Sequence, residues 1–162
     1  MADMESRIEL VEKIGPFLLP SAALVEIWHG MQLRRFGGGS GIRDRNLLEG
    51  AVSRGASTLL YGDAGDLVAA VCAMCEGVIR NHPFIDGNKR AGFSVIASTL
   101  PVNGFLFEMS PRDAAQMIVD FAAGKISSDD FRDTVRANVR PDPTHGLIEE
   151  ISAAEATSQP EA

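Results

Sequence analysis

A nine-residue break between two apolar helical segments, His82-Pro-Phe-Ile-Asp-Gly-Asn-Lys-Arg90, constrains this chain more than any other feature. Ahead of it, the stretch 65–80 carries Leu67, Val68, Val71, Cys72, Cys75, Val78 and Ile79 at spacings of three and four, which predicts a helix. Pro83 and Gly87 interrupt the pattern, and from Asn88 a second apolar segment, Ala91 to Leu100, runs until Pro101. Lys89 and Arg90 therefore fall in the first turn of a helix, where the macrodipole favours acids over cations. An anion would offset that placement. Free N–H groups at a helix start, a glycine that permits close approach and two cations together describe a phosphate site.

The rest of the break suggests what such a site could do. Asp86 could hold Mg²⁺ against bound phosphates, and His82 could take a proton from an incoming hydroxyl. Phosphoryl or nucleotidyl transfer is the chemistry implied. Taken singly, each residue also has a plain explanation: Asp86-Gly87 as a turn pair, Lys89 and Arg90 as solvated cations. Their conjunction favours the site.

At these residues the chain resembles the Fic/Doc superfamily, and within it the Doc ("death on curing") toxins. The Doc pattern His-x-Phe-x-Asp/Asn-Ala/Gly-Asn-Lys-Arg is met by His82, Phe84, Asp86, Gly87, Asn88, Lys89 and Arg90. Upstream, Arg35-Phe36-Gly37-Gly38, Gly41-Ile42-Arg43-Asp44 and Leu48-Glu49-x-Ala51 look like the family's first helix and glycine-rich turn, so the similarity spans Pro20 to about Val139. Adenylylating Fic enzymes carry a glycine and an arginine where this chain has Lys89 and Phe93. Doc proteins are understood to bind ATP turned around, so that the γ-phosphate is transferred. The resemblance thus implies a protein kinase acting on a threonine of elongation factor Tu, with ATP and Mg²⁺ as cofactors and a separate antitoxin as partner. It also implies roles: His82 as base, Asp86 as metal ligand, and Gly87, Asn88, Lys89 and Arg90 as the nucleotide and phosphate contacts, with Arg80 a further candidate.

The length suits one domain with a single core. No apolar run reaches the ~18 residues of a membrane span. The N-terminal acids Asp3, Glu5 and Glu9 do not fit a signal peptide, so a cytoplasmic location is expected. The net charge of −7 is unevenly placed: five of the 22 acids and none of the 15 Lys and Arg residues lie beyond Arg140. The body is therefore nearly neutral, and no interleaving of aromatic and basic residues suggests direct nucleic-acid binding. Arg34, Arg35, Arg43, Arg45, Arg54, Arg80 and Arg90 could line a nucleotide cleft or be solvated. Cys72-x-x-Cys75 lies mid-helix in apolar surroundings with no second pair, which favours buried thiols over a zinc or redox site. His29 and His145 carry no signal, and the glycine run 37–41 lacks the ending of a P-loop.

The expected architecture is all-α: a Fic/Doc-type helical domain over 20–140 with a short β-hairpin or flap, a helical extension over 1–19 and an acidic, disordered tail over 141–162. Helices are expected over Glu5 to Ile14, Ser21 to Phe36, Arg43 to Gly55, Pro111 to Ala123 and from a Ser128 cap to about Asn138. Leu24, Ile27, Trp28, Met31 and Leu33 are core candidates. Residues 57–65 read as a connection in the position of the family's flap, and Phe105 to Met109 as a short strand. In the tail, Leu147, Ile148 and Ile151 form a candidate docking patch. Two rivals stand beside the kinase reading: AMP transfer by the same site, and a non-catalytic module that holds a nucleotide or partner.

Overall fold

The computed structural model describes residues 9–62 and 65–146. In chain order the elements are β1 (Val11–Ile14), β2 (Phe17–Pro20), α1 (Ala22–Phe36), α2 (Arg45–Tyr61), α3 (Leu67–Asn81), α4 (Asn88–Val102), β3 (Phe105–Phe107), α5 (Pro111–Ala122), α6 (Ser128–Ala137) and β4 (Val139–Pro141). The helical class holds. Two antiparallel pairs, β1–β2 and β3–β4, accompany the six helices.

α3 is the axis of the domain. Leu67, Val71, Met74, Cys75, Val78 and Ile79 are buried around its whole circumference, as expected of a helix enclosed by others. α2 and α4 flank it, and α5 and α6 close the far side through Phe121 and Phe131, stacked with centroids 4.3 Å apart. Asp66 caps α3 by accepting from Ala69 N–H at 2.9 Å and takes both Arg136 amines of α6, at 3.1 and 2.7 Å. Both cysteines are free and buried; burial pushes the Cys72 thiol up to about 12 and Cys75 well above its ordinary value, so neither is a ready thiolate.

Several expectations are corrected. Where periodicity predicts a helix to Ile14, residues 11–20 form a hairpin, with Val11 opposite Pro20 and Ile14 opposite Phe17. Gly15, at φ 57°, opens its two-residue loop, and Pro16 cannot supply the N–H a helix would need. The hairpin belongs to the main body: Leu19 is buried, and Asn103 accepts from Leu18 N–H and donates to its carbonyl, both at 2.8 Å. α2 does not stop at Gly55 but continues to Tyr61, because Leu48, Ala51, Gly55 and Leu59 keep one buried line. Residues 57–61, expected as a flap-like connection, are thus helical, with Tyr61 87% exposed.

α1 is rotated from its expected face. Val25 and His29 are buried, whereas Ile27 and Met31 are exposed. The cap of α6 is Ser127, accepting from Asp130 N–H at 3.0 Å; Ser128 instead donates to Glu76 at 2.7 Å. Beyond the expected helix end at about Asn138 the chain forms β4, which the sequence does not signal because its partner β3 lies more than thirty residues earlier in the chain. The candidate docking patch of Leu147, Ile148 and Ile151, with the tail beyond Gly146, lies outside the described residues. Among the described residues no helix is long and apolar enough to cross a membrane.

Candidate phosphate site

The site forms where α3 ends and α4 begins. His82 leaves α3 in the left-handed conformation, φ 49° and ψ 56°, alone in this among the described non-glycine residues. Gly87 is left-handed as well, φ 76°, and α4 starts immediately after it. Five described helices have a side chain accepting from their first turn: Ser21, Asp44, Asp66, Ser110 and Ser127. α4 has none. Its first N–H groups have no intrahelical partner either, and they point from the positive end of the helix dipole toward the break.

The loop between the helices is held on two sides. The glycine-rich segment before α2 pairs with it: Ile42 and Phe84 form an antiparallel bridge, Ile85 N–H donates to Gly41 O at 3.1 Å, and Arg43 N–H to Pro83 O at 2.7 Å. From beneath, the buried Phe84 ring stacks on His29. His29 Nε2 donates to Asp86 O at 2.7 Å. Asn88 ties the loop to itself, its Oδ1 accepting from Phe84 N–H at 2.9 Å and its Nδ2 donating to Phe84 O at 3.0 Å. Those two bonds orient the amide, so the 3.3 Å contact between Asn88 Nδ2 and His82 Nδ1 makes Nδ1 the acceptor.

Asp86 is exposed, and its carboxylate lies over the glycine turn. Oδ2 accepts from Gly39 N–H at 3.1 Å and Oδ1 from Gly87 N–H at 2.6 Å. Those backbone donors, Gly39 first, hold its pKa below the ordinary carboxylate value, with Arg90 adding to the effect. Gly38 makes the approach possible, since at φ +125° a Cβ would stand 2.7 Å from Asp86 Oδ2. Among the described residues no group of three or more His, Cys, Asp or Glu side chains could hold a metal. One ionised, exposed carboxylate beside a phosphate site nevertheless suits Mg²⁺, which takes one or two protein carboxylates and fills its remaining positions from phosphates and water.

The fold therefore brings His82, Asp86, Gly87, Asn88, Lys89 and Arg90 to one junction. Lys89 is exposed and lines a cavity of about 520 Å³ with Arg35, Phe36, Arg90 and Phe93, walled by α5. Arg90 donates to Gly37 O at 3.0 Å. Arg80 faces elsewhere: it pairs with Glu76 at 2.9 Å, and its guanidinium lies 4.8 Å from the centre of the Phe121 ring. Two residues of the site are not singled out by the sequence. His29 carries no signal there, and its role arises only when α1 crosses beneath the motif. Arg43 stands in the sequence as one of a basic set and within the family's glycine-rich turn, with no role given to its side chain, although its place between the glycine run and the Asp44 cap marks a constrained turn.

A helical domain that offers an uncapped helix start flanked by a histidine, a carboxylate and two cations is the class of protein that this fold and junction define. The Fic/DOC family model matches residues 19–100, which include every one of these groups. The chain is 30% identical over 108 residues to "Protein kinase doc" of Escherichia phage P1, a match covering 67% of this chain and 85% of that protein. It is 37% identical over 70 residues to "Toxin Doc" of Mycolicibacterium smegmatis, covering 43% of this chain and 54% of that protein. The chain belongs to the Fic/DOC family.

Proposed function

We propose that this protein is a Doc-like toxin that transfers the γ-phosphate of ATP to a hydroxyl of a protein target, by resemblance a threonine of elongation factor Tu. The observation that carries this reading is the α4 N-terminus, uncapped and flanked by Lys89 and Arg90, directly beside His82 and Asp86. The likeness to a protein named as a kinase supports phosphoryl transfer, as does Phe93. Its ring packs toward Phe107, with centroids 6.1 Å apart, where adenylylating relatives carry a phosphate-binding arginine.

The geometry supports a role for each residue. The first-turn N–H groups of α4 receive phosphate oxygens, and Lys89 and Arg90 neutralise charge that redistributes in the transition state. Asp86 would hold Mg²⁺, which supplies further charge neutralisation at the phosphates. His82 takes the hydroxyl proton at Nε2. That step requires the ring's own proton on Nδ1, a tautomer that gives up the Asn88 contact, so this contact positions the resting ring rather than the reacting one.

A toxin of this kind acts in the cytoplasm and is restrained by a separate antitoxin, which the likeness to two Doc proteins supports. Intact-mass analysis of elongation factor Tu after incubation with this protein and ATP·Mg²⁺ tests the reading. A gain of one phosphoryl group is expected. A gain of one adenylyl group would reassign the site to AMP transfer, and no gain would remove this target.

A further inference from the structure

Arg43 is exposed, yet its guanidinium is committed to the end of α3. Nε donates to His82 O and Nη2 to Asn81 O, both at 2.7 Å, while the Arg43 backbone N–H donates to Pro83 O at 2.7 Å. Three consecutive carbonyls thus converge on one residue. Those of Asn81 and His82 belong to the terminus that a helix leaves without intrahelical partners, and a cation there also opposes the negative end of the dipole. Between them stands His82 in its left-handed conformation, which a residue with a Cβ adopts only at an energetic cost. Among the described residues no carboxylate forms an ion pair with Arg43, so its geometry is set by these carbonyls.

We propose that Arg43 is a positioning residue for the transfer reaction: by clamping the carbonyls of Asn81, His82 and Pro83, it holds His82 left-handed and aims the imidazole at the α4 N-terminus. The proposal rests on His82 being the base. It assigns Arg43 no contact with nucleotide or acceptor. Loss of the clamp should let His82 relax toward an ordinary backbone conformation, moving the ring away from the acceptor while the α4 phosphate site stays formed. A displacement of about 1 Å can cost ~10²-fold in rate.

Two measurements on the full chain test this. In the first, Arg43→Ala and Arg43→Lys are assayed with ATP·Mg²⁺ and the modified target. Arg43→Ala should lower kcat by ~10²-fold with the KM for ATP changed less than about twofold, Lys should recover part of the loss, and added methylguanidinium should restore part of the Ala variant's rate. An unchanged kcat, or a KM that rises as far as kcat falls, overturns the proposal, as does a loss that neither Lys nor methylguanidinium relieves. In the second, NMR of the nucleotide-free protein reads the His82 HN–Hα coupling and ring shifts. Both should move in Arg43→Ala and return toward wild type with methylguanidinium. If they do not move, the clamp does not set His82, whatever the activity shows; if they move and no variant of His82 affects transfer, the failure lies in the base assignment instead.

Discussion

His29 of α1 and Phe84 of the motif loop stack face to face, with centroids 3.8 Å apart and planes 10° from parallel. The pair lies directly beneath the residues proposed to carry the chemistry. Phe84 is 1% exposed, so its ring anchors the loop to the core while His82 on one side and Asp86 on the other stay at the surface. Phe84→Ala should therefore destabilise the protein by about 3–5 kcal/mol, read from urea unfolding as a lower midpoint. A loss below about 1 kcal/mol would mean that the loop is held by its backbone bonds alone.

His82→Ala should lower transfer by ~10²- to 10⁴-fold and leave ATP affinity nearly unchanged, because the imidazole acts on the acceptor. Calorimetric titration with ATP beside the rate assay checks both halves. Asp86→Asn should instead raise the Mg²⁺ concentration needed for half-maximal activity. Because its two backbone donors hold the Asp86 carboxyl below the usual range, the metal requirement of the wild type should stay flat across neutral pH.

Lys89 and Phe93 sit one turn apart on α4 and line the same cavity. If they set how the triphosphate lies, Lys89→Gly combined with Phe93→Arg should weaken γ-phosphate transfer and open a route to AMP transfer. Parallel reactions with α- and γ-labelled ATP read this directly. Exclusive α-label incorporation by the unmutated protein would sink the kinase assignment.

Asp66 stabilises α3 twice, as its N-cap and as the acceptor of the Arg136 fork. Burial pushes its carboxyl up, but the hydrogen bonds from Arg136 and Ala69 outweigh that and leave the pKa below the ordinary value. A depressed folded-state pKa contributes stability above the unfolded value, and this is lost as pH falls through the folded one. Asp66→Ala should cost about 1–3 kcal/mol near neutral pH. Asp66→Asn keeps the cap and drops the charge, so its deficit against wild type should shrink below about pH 4, where the unfolded carboxyl is protonated. A deficit independent of pH would show that the ion pair contributes nothing.

What a short stretch of chain specifies can be read directly from the residues. The three-and-four spacing from Leu67 to Ile79 marks α3, and Ser21 and Ser110 mark their helix starts, because these depend on neighbours within a turn or two. The nine residues from His82 to Arg90 carry the junction, its charges and the family on their own. Only the tertiary structure decides the rest. Whether Val11–Ile14 becomes strand or helix depends on pairing with Phe17–Pro20 and on Asn103, 85 residues away from Leu18. α2 passes through Gly55 because that position is enclosed by other elements, a condition propensity cannot register. His29 and Arg43 gain their roles by crossing distances of 57 and 39 residues to reach Asp86 and His82. Arg80, just ahead of the motif, is drawn instead to Glu76 and Phe121. Periodicity and caps are local and can be read along the chain, whereas the orientation of His82 and the burial of the Phe84 anchor arise from contacts that exist only once the helices have packed.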